Sequence, residues 1–160
     1  MKLTIRPLEE KDAYISYKWR NDKEVFSKTL AVYDREISLE MEIEWIKKVI
    51  SITSDYRCAI DADRQYVGNI YLTNINDRNA EYHIFIGDKK YWGKGVAREA
   101  SIQILKYAFG DLKLSKVYLK VRQDNVKAIK LYDNLGFSKV SEYLGVDTME
   151  LRSNEFNYFT

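Results

Sequence analysis

Cysteine, proline and histidine each occur once in this chain, as Cys58, Pro7 and His83. A lone cysteine excludes an internal disulfide, and its neighbours Ala59 and Ile60 make Cys58 a buried strand thiol rather than a nucleophile. The N-terminus, Met1 to Pro7, lacks the apolar stretch of a signal peptide, and no run approaches the ~20 residues of a membrane span. A cytoplasmic protein with no membrane partner is expected. No repeat, low-complexity tract or Gly/Ser/Pro-rich linker divides the chain, so one domain over 1–160 is expected. A hydrophobic fraction of 46% over 160 residues is enough to bury a substantial core.

Against that background the stretch from Glu81 to Ala100 stands out. The alternation of Tyr82, Ile84 and Ile86 predicts a strand, Gly87 ends it, and helical spacing begins at Val96. Gly93 and Gly95 therefore sit where a helix starts, and the backbone N–H groups there have no intrahelical partner. They point outward together, the helix dipole favours an anion, and alternate glycines let a ligand approach the backbone without meeting a Cβ. Charge distribution agrees. Residues 88–130 carry eleven Lys/Arg against four acids, a local excess of +7 in a chain whose net charge is only +2. A solvated helix face explains many lysine clusters, but this excess surrounds the glycine turn and points to a local phosphate site. A nucleic-acid surface would show interleaved aromatics and a basic chain overall, so nucleic acid is not the expected partner.

Periodicity gives an α/β pattern. Strands are predicted at Lys2 to Arg6, ended by Pro7, then at Tyr56 to Asp61, Tyr66 to Thr73, 81–87, Lys116 to Arg122, Gly136 to Tyr143 and near Glu155 to Phe159. Helices are predicted at Lys11 to Arg20, Ser38 to Ile50 with Met41, Trp45 and Val49 at fourfold spacing, about 96–109, and Val126 to Leu135, with a loop from Asn21 to Asp34. A meander of antiparallel strands thus precedes a strand-helix-strand unit.

A second constellation follows the glycine turn. The strand ending Val121-Arg122 leads to Asn125, then Ala128, Leu131-Tyr132 and Gly136-Phe137. Asn125 and Tyr132 lie two helical turns apart on one face, so they can line one groove. Singly, Asn125 reads as an N-cap, Tyr132 as a core-edge aromatic and Gly136 as a C-cap. Their order behind a strand, a two-glycine turn and a helix is harder to assign to chance.

With those residues in place the chain resembles the GNAT superfamily of acetyl-CoA-dependent N-acetyltransferases. Lys90-x-x-Gly93-x-Gly95 matches the family's Gln/Arg-x-x-Gly-x-Gly/Ala signature apart from Lys90, which leaves the backbone amides and a cation at the turn. Tyr91 to Ala97 with Asn125, Ala128, Leu131-Tyr132 and Gly136-Phe137 is similar to the branch of ribosomal-protein N-terminal acetyltransferases, which also holds polyamine and nucleotide-amino-sugar acetyltransferases. Two other glycine motifs fit worse. A Rossmann fingerprint needs Gly or Ala where Arg98 stands, and a P-loop needs Ser or Thr where Gly95 stands.

The resemblance implies a central, mostly antiparallel twisted sheet of six to seven strands with about four helices and a cofactor gap between central strands. It implies acetyl-CoA as co-substrate and no metal. Pantetheine would pair with the backbone of Ile84, Phe85 and Ile86, and pyrophosphate with the amides of Trp92, Gly93, Lys94, Gly95, Val96 and Ala97. Lys94, Arg98 and Lys127 would add charge, and Asn125 resembles the family's cofactor-binding asparagine. Direct transfer needs an unprotonated amine and hence a base. Glu81 matches in position the glutamate used by several family members, His83 shares its strand face and titrates near neutrality, and a water chain is a third route. Tyr132 corresponds to the helix tyrosine that protonates the departing thiolate.

The acceptor wall in this family comes from the first two helices, their loop and the C-terminal strands. Lys18-Trp19-Arg20-Asn21 resembles a segment of nucleotide-amino-sugar acetyltransferases. Trp19, Phe26, Tyr33 and Trp45 are candidates to stack on a base or sugar, or else core. Glu36, Glu40 and Glu44, joined by Glu42, form an acidic stripe that suits a polyamine or a plain helix N-terminus. The acceptor is therefore a protein N-terminus, a nucleotide amino sugar or a polyamine, and the alternative function is a CoA-binding sensor without turnover. Edge strands near the C-terminus leave room for a homodimer.

Overall fold

A computed structural model describes residues 1–27, 29–31 and 35–159. Its seven strands are β1 (Leu3–Pro7), β2 (Tyr56–Ala62), β3 (Gln65–Thr73), β4 (Asn79–Ile86), β5 (Lys116–Arg122), β6 (Ser138–Tyr143) and β7 (Val146–Arg152). Its α-helices are α1 (Ala13–Arg20), α2 (Lys23–Phe26), α3 (Leu39–Ile50), α4 (Val96–Lys106) and α5 (Val126–Leu135). The strands form one sheet in the order β1-β2-β3-β4-β5-β7-β6. All neighbours are antiparallel except β4 and β5, which run parallel and are joined through α4. A parallel pair needs such a crossover, and α4 supplies it.

Helices cover both faces of the sheet. On one face α4 and α5 bury Val96, Ala100, Ile104 and Leu135 against Ile70, Leu72, Tyr82 and Leu119. On the other, α1 to α3 bury Trp19, Val25, Ile46 and Val49 against Ala59, Tyr66 and Tyr71. Cys58 is fully buried in β2, and burial pushes its thiol up to about 11, which keeps it inert. Among the described residues no helix is long and apolar enough to cross a membrane.

The structure departs from expectation in four places. The loop from Asn21 contains the short helix α2, capped by the Asp22 carboxylate accepting from Glu24 N. The stripe of α3 that faces the core is Glu42, Ile46 and Val49, with Met41 exposed, so the helix is rotated relative to the predicted fourfold line. The last strand is Val146–Arg152, and Glu155 to Phe159 is not a strand: a 3-10 turn at Ser153–Glu155 is followed by tail aromatics, with Phe156 packed on Phe109. Aromatic content alone made that tail look like a strand. Finally, β1 includes Pro7, paired with Cys58, rather than ending before it, whereas β6 forms the exposed sheet edge expected near the C-terminus.

Candidate active site

The sheet opens at its centre. β4 and β5 share only the register pairs Asn79–Lys116, Ala80–Val117 and Glu81–Tyr118. Beyond Glu81, β4 stays paired to β3 as far as Ile86, and β5 stays paired to β7 as far as Arg122. Only the central ladder is given up, which leaves backbone polar groups facing each other across a gap and in need of partners. A cavity of about 1590 Å³ fills this gap and is lined by His83 to Ile86 on one side and Leu119 to Val121 on the other. That volume exceeds the usual range for one small ligand and suits two reactants side by side. An extended chain carrying amides, such as pantetheine, answers the unpaired backbone.

One end of the gap is the glycine turn. Gly93 and Gly95 have φ of +73° and +80°, values that L side chains rarely adopt. A Cβ on either would meet nothing within 4 Å, so it would project into open space that a ligand could otherwise fill. The α4 ladder starts with Glu99 N donating to Gly95 O at 3.1 Å, so the amides of Val96, Ala97 and Arg98 precede it. The Trp92 indole donates to the Ile86 carbonyl at 2.8 Å and ties the turn to the strand end. Trp92, Gly93, Gly95, Val96, Ala97 and Arg98 line the cavity, as do Asn125 and Lys127 from the start of α5. Lys94 does not line it; its ammonium lies over the Tyr91 ring at 5.9 Å. Arg98 lies against Tyr158, with a hydrogen bond of 3.4 Å to the phenol. No motif pointed to Tyr158, because its contact comes from the tail folding back.

Asn125 caps α5, accepting from Ala128 N at 3.3 Å, and Gly136 ends the helix at a φ of +106°. The plain structural readings of both residues are therefore correct, and Asn125 also lines the cavity. The cap fixes the helix that carries Tyr132. The Tyr132 ring packs edge-on to Tyr82 at 5.7 Å and lies 5.9 Å from Phe137. Its hydroxyl makes no hydrogen bond to the described residues, and burial raises its pKa to about 12. Tyr82 is itself locked by a 2.6 Å hydrogen bond to Ser101.

Glu81 and His83 lie on the opposite sheet face from Tyr82. Alternation along β4 directs Tyr82 and Ile84 toward α4 and α5, and Glu81, His83 and Phe85 toward α1 to α3. Glu81 Oε2 is 3.7 Å from His83 Nε2, and that nitrogen is 3.0 Å from Thr73 Oγ1. Partial burial, aided by the positive charge of Arg57, lowers the imidazole pKa below 6.5, while Glu81 and Asp55 oppose the shift. His83 therefore stays neutral at pH 7 and can accept a proton. The two candidate bases and the tyrosine face each other only through the gap.

The wall on the base side contains residues that no motif marked. Arg57 donates from Nε and Nη2 to Asp55 Oδ2 at 3.2 and 3.0 Å, and Arg20 donates from Nη1 to Glu42 Oε1 at 3.0 Å. Both guanidiniums lie over Trp45, at 4.9 Å for Arg20 and 5.6 Å for Arg57. Arg57 also stacks on Tyr71 at 4.5 Å. Glu42 is buried and bonded to Ser16 and Arg20, so it does not belong to an exposed acidic stripe; burial raises its carboxyl pKa against both partners. Trp19 is a core residue, 4.7 Å from Tyr66, and Asn21 clamps the chain through Tyr17 O and both backbone groups of Ile37. In the Lys18 to Asn21 segment only Arg20 reaches the cavity. Phe26 and Trp45 line it, and Tyr33 lies outside the described residues.

Part of the basic excess is spent on structure. Lys89 pairs with Asp22 and Glu24 at 2.9 and 3.5 Å, Lys116 with Glu150, and Arg122 with Asp124 and the Ser27 carbonyl. Among the cations proposed for the cofactor, Arg98 and Lys127 remain at the cavity wall.

Residues 2–138 match the family described as acetyltransferase (GNAT) domain. The chain is 33% identical over 143 residues to spermidine N(1)-acetyltransferase of Escherichia coli strain K12, covering 88% of this chain and 75% of that protein. It is 29% identical over 137 residues to the acetyltransferase PseH of Campylobacter jejuni, covering 84% of this chain and 82% of that protein. Among solved structures, spermidine N-acetyltransferase from Vibrio cholerae in complex with CoA and spermine superposes with a TM-score of 0.85 at 29% identity, covering 96% of each chain.

Proposed function

We propose, from the premise that this chain belongs to the GNAT acetyltransferases and is an acetyl-CoA-dependent enzyme, that it acetylates a primary amine by direct transfer through the gap between β4 and β5. The observation that carries the reading is this opening. Supporting it, two candidate bases, Glu81 and His83, lie on one sheet face of the opening and a buried phenol, Tyr132, on the other.

Acetyl-CoA supplies an activated thioester carbonyl. The amides from Val96 to Arg98 and the open side of Gly93 and Gly95 suit its pyrophosphate, with Arg98 and Lys127 near enough to add charge. The gap-facing backbone of β4 between Ile84 and Ile86 suits its pantetheine amides, and a β4 N–H at the gap would donate to the carbonyl oxygen as charge develops there. On the other face, an ammonium must lose a proton before nitrogen can attack. Glu81 or neutral His83 takes it, directly or through water, while Thr73 holds the imidazole. As the C–N bond forms and the C–S bond breaks, Tyr132 presents its proton to the sulfur. The acceptor arrives from the α1 to α3 side, past Trp45 and Phe85. Polyamines, nucleotide amino sugars and protein N-termini are the classes to be compared, the first supported by the spermidine-acetylating relatives.

The test is a CoA-release assay across those three classes together with a thermal-shift titration of acetyl-CoA. Acetyl-CoA is expected to raise the melting temperature and at least one class to release CoA stoichiometrically with N-acetyl product. A thermal shift with no CoA release from any amine would leave a cofactor sensor. No thermal shift at all would remove the gap as a cofactor site.

A further inference from the structure

Resting on this acetyl-transfer reading of the cavity, we infer that the acceptor carries an acidic group, phosphate or carboxylate, close to its reactive amine, and that Arg20 and Arg57 bind it on the Trp45 platform.

Four observations converge. First, the two guanidiniums form one group, since both lie within 6 Å of the same indole ring. Second, they stand in front of their carboxylates. The side chains of Arg20 and Arg57 are 27% and 15% exposed, whereas their partners Glu42 and Asp55 are 2% and 6% exposed. Glu42 and Asp55 also line the cavity, but a ligand entering it finds more exposed guanidinium than carboxylate there. Third, donors remain. Glu42 takes only Nη1 of Arg20, and Asp55 takes only Nε and Nη2 of Arg57. The other guanidinium nitrogens have no acceptor among the described residues, and none of them is a buried atom lacking a partner. They are therefore available to a ligand in the cavity, and a planar fork of N–H groups matches a two-oxygen anion. Fourth, Arg57 is close enough to His83 to lower its pKa, so the anion would lie near the reacting nitrogen.

The remaining charges complete the pattern. Glu81 faces the gap from β4, and Glu24 sits at the rim, already paired with Lys89. One carboxylate is thus placed for the incoming amine and two guanidiniums for an anion, a pattern complementary to an acceptor with both charges. A polyamine would set its second ammonium against the free guanidinium edges that screen Glu42 and Asp55, a less favourable contact than an anion makes there.

The experiment compares matched amines in the CoA-release assay. Glucosamine 6-phosphate is set against glucosamine, an α-amino acid against its methyl ester, and spermidine serves as the cationic comparator. At least one anionic member is expected to exceed its neutral counterpart and spermidine by tenfold or more in kcat/KM. The pair with the larger ratio distinguishes phosphate from carboxylate. The ratio is expected to collapse toward one in Arg57→Met/Asp55→Asn, where the buried carboxylate is not stranded. Should that protein fail to fold, Arg20→Met/Glu42→Gln gives the same reading. Spermidine or the neutral members matching the anionic ones would overturn the inference while leaving the acetyl-transfer function standing, as would a ratio that survives both double variants. If no amine is acetylated, the function fails, and the inference is read instead from Trp fluorescence with CoA bound. Quenching confined to the anionic members, and lost in Trp45→Phe, upholds the inference; equal response to both members refutes it.

Discussion

Replacing Tyr132 by phenylalanine removes one oxygen and almost nothing else. The ring stays packed on Tyr82 and Phe137, and the hydroxyl has no hydrogen bond to the described residues that would be broken. Stability should therefore change by well under 1 kcal/mol, within the range of a substitution that strands no polar group. The chemical effect should be much larger. A phenol with a pKa of about 12 is protonated throughout the physiological range, so the donor is always loaded. Full transfer to a free thiolate of pKa near 8.5 would be about 5 kcal/mol uphill. In the proposed role Tyr132 would therefore act first as a hydrogen-bond donor to sulfur as negative charge develops in a water-poor gap, with proton transfer completed as the product leaves. Loss of such a group lowers turnover by about 100- to 10,000-fold, equivalent to about 2.7–5.5 kcal/mol of barrier. Single-turnover CoA release gives the chemical step, and a thermal-shift titration gives acetyl-CoA affinity separately. The expected result is a large fall in kcat with affinity altered less than threefold. Turnover within threefold of the parent would refute the role, whatever the geometry.

Gly95→Trp should abolish the thermal shift by acetyl-CoA, because the new side chain projects into space no protein atom occupies and adopts a φ of +80° at about 1–2 kcal/mol; an unchanged shift would take the turn out of the site. His83→Gln tests the base by pH profile. The imidazole pKa is lowered below 6.5, so kcat/KM should hold to below pH 6.5 and fall as His83 gains its proton. The same depression means that protonation favours the unfolded chain, so stability contributed by neutral His83 is lost as pH falls through this window. If the variant keeps the parent's acidic limb, Glu81 or a water chain is the base. Gly87→Ala should lower the melting temperature by roughly 2–12 °C, the effect of about 1–3 kcal/mol of overpacking. Its Cβ would stand 2.0 Å from Trp19 Cδ2, and a melting temperature equal to the parent's would show that Trp19 moves freely.

Local chemistry was legible in the chain wherever it repeats along the chain. Alternation located β2 to β5, and the glycine turn, the Asn125 cap and the Gly136 stop emerged at their expected positions because each is decided by its own φ or by a bond to a residue three or four positions away. The tail failed for the same reason. Aromatics between Phe156 and Phe159 look like a strand by composition, whereas they pack as rings on Phe109 and on one another, a contact that periodicity does not encode. Gly87 likewise read as a strand terminator, and the packed structure sets it against the Trp19 ring, where an added Cβ would clash.

The sequence by itself determined the family and the local arrangement proposed to hold the cofactor, since a strand, a two-glycine turn and a capped helix have hydrogen bonds that close within a few residues. Tertiary structure alone assembled the residues proposed for the acceptor half. Arg20 and Arg57 are 37 positions apart and belong to different elements, yet share the Trp45 ring, Arg20 held by Glu42 from another helix and Arg57 by its near neighbour Asp55. It also decided which side of the sheet each proposed reacting group occupies: Glu81 and Tyr132 lie on opposite faces and line one cavity where β4 and β5 part after three register pairs. Charge and long-range register depend on what packs opposite a residue, and that information lies in the fold.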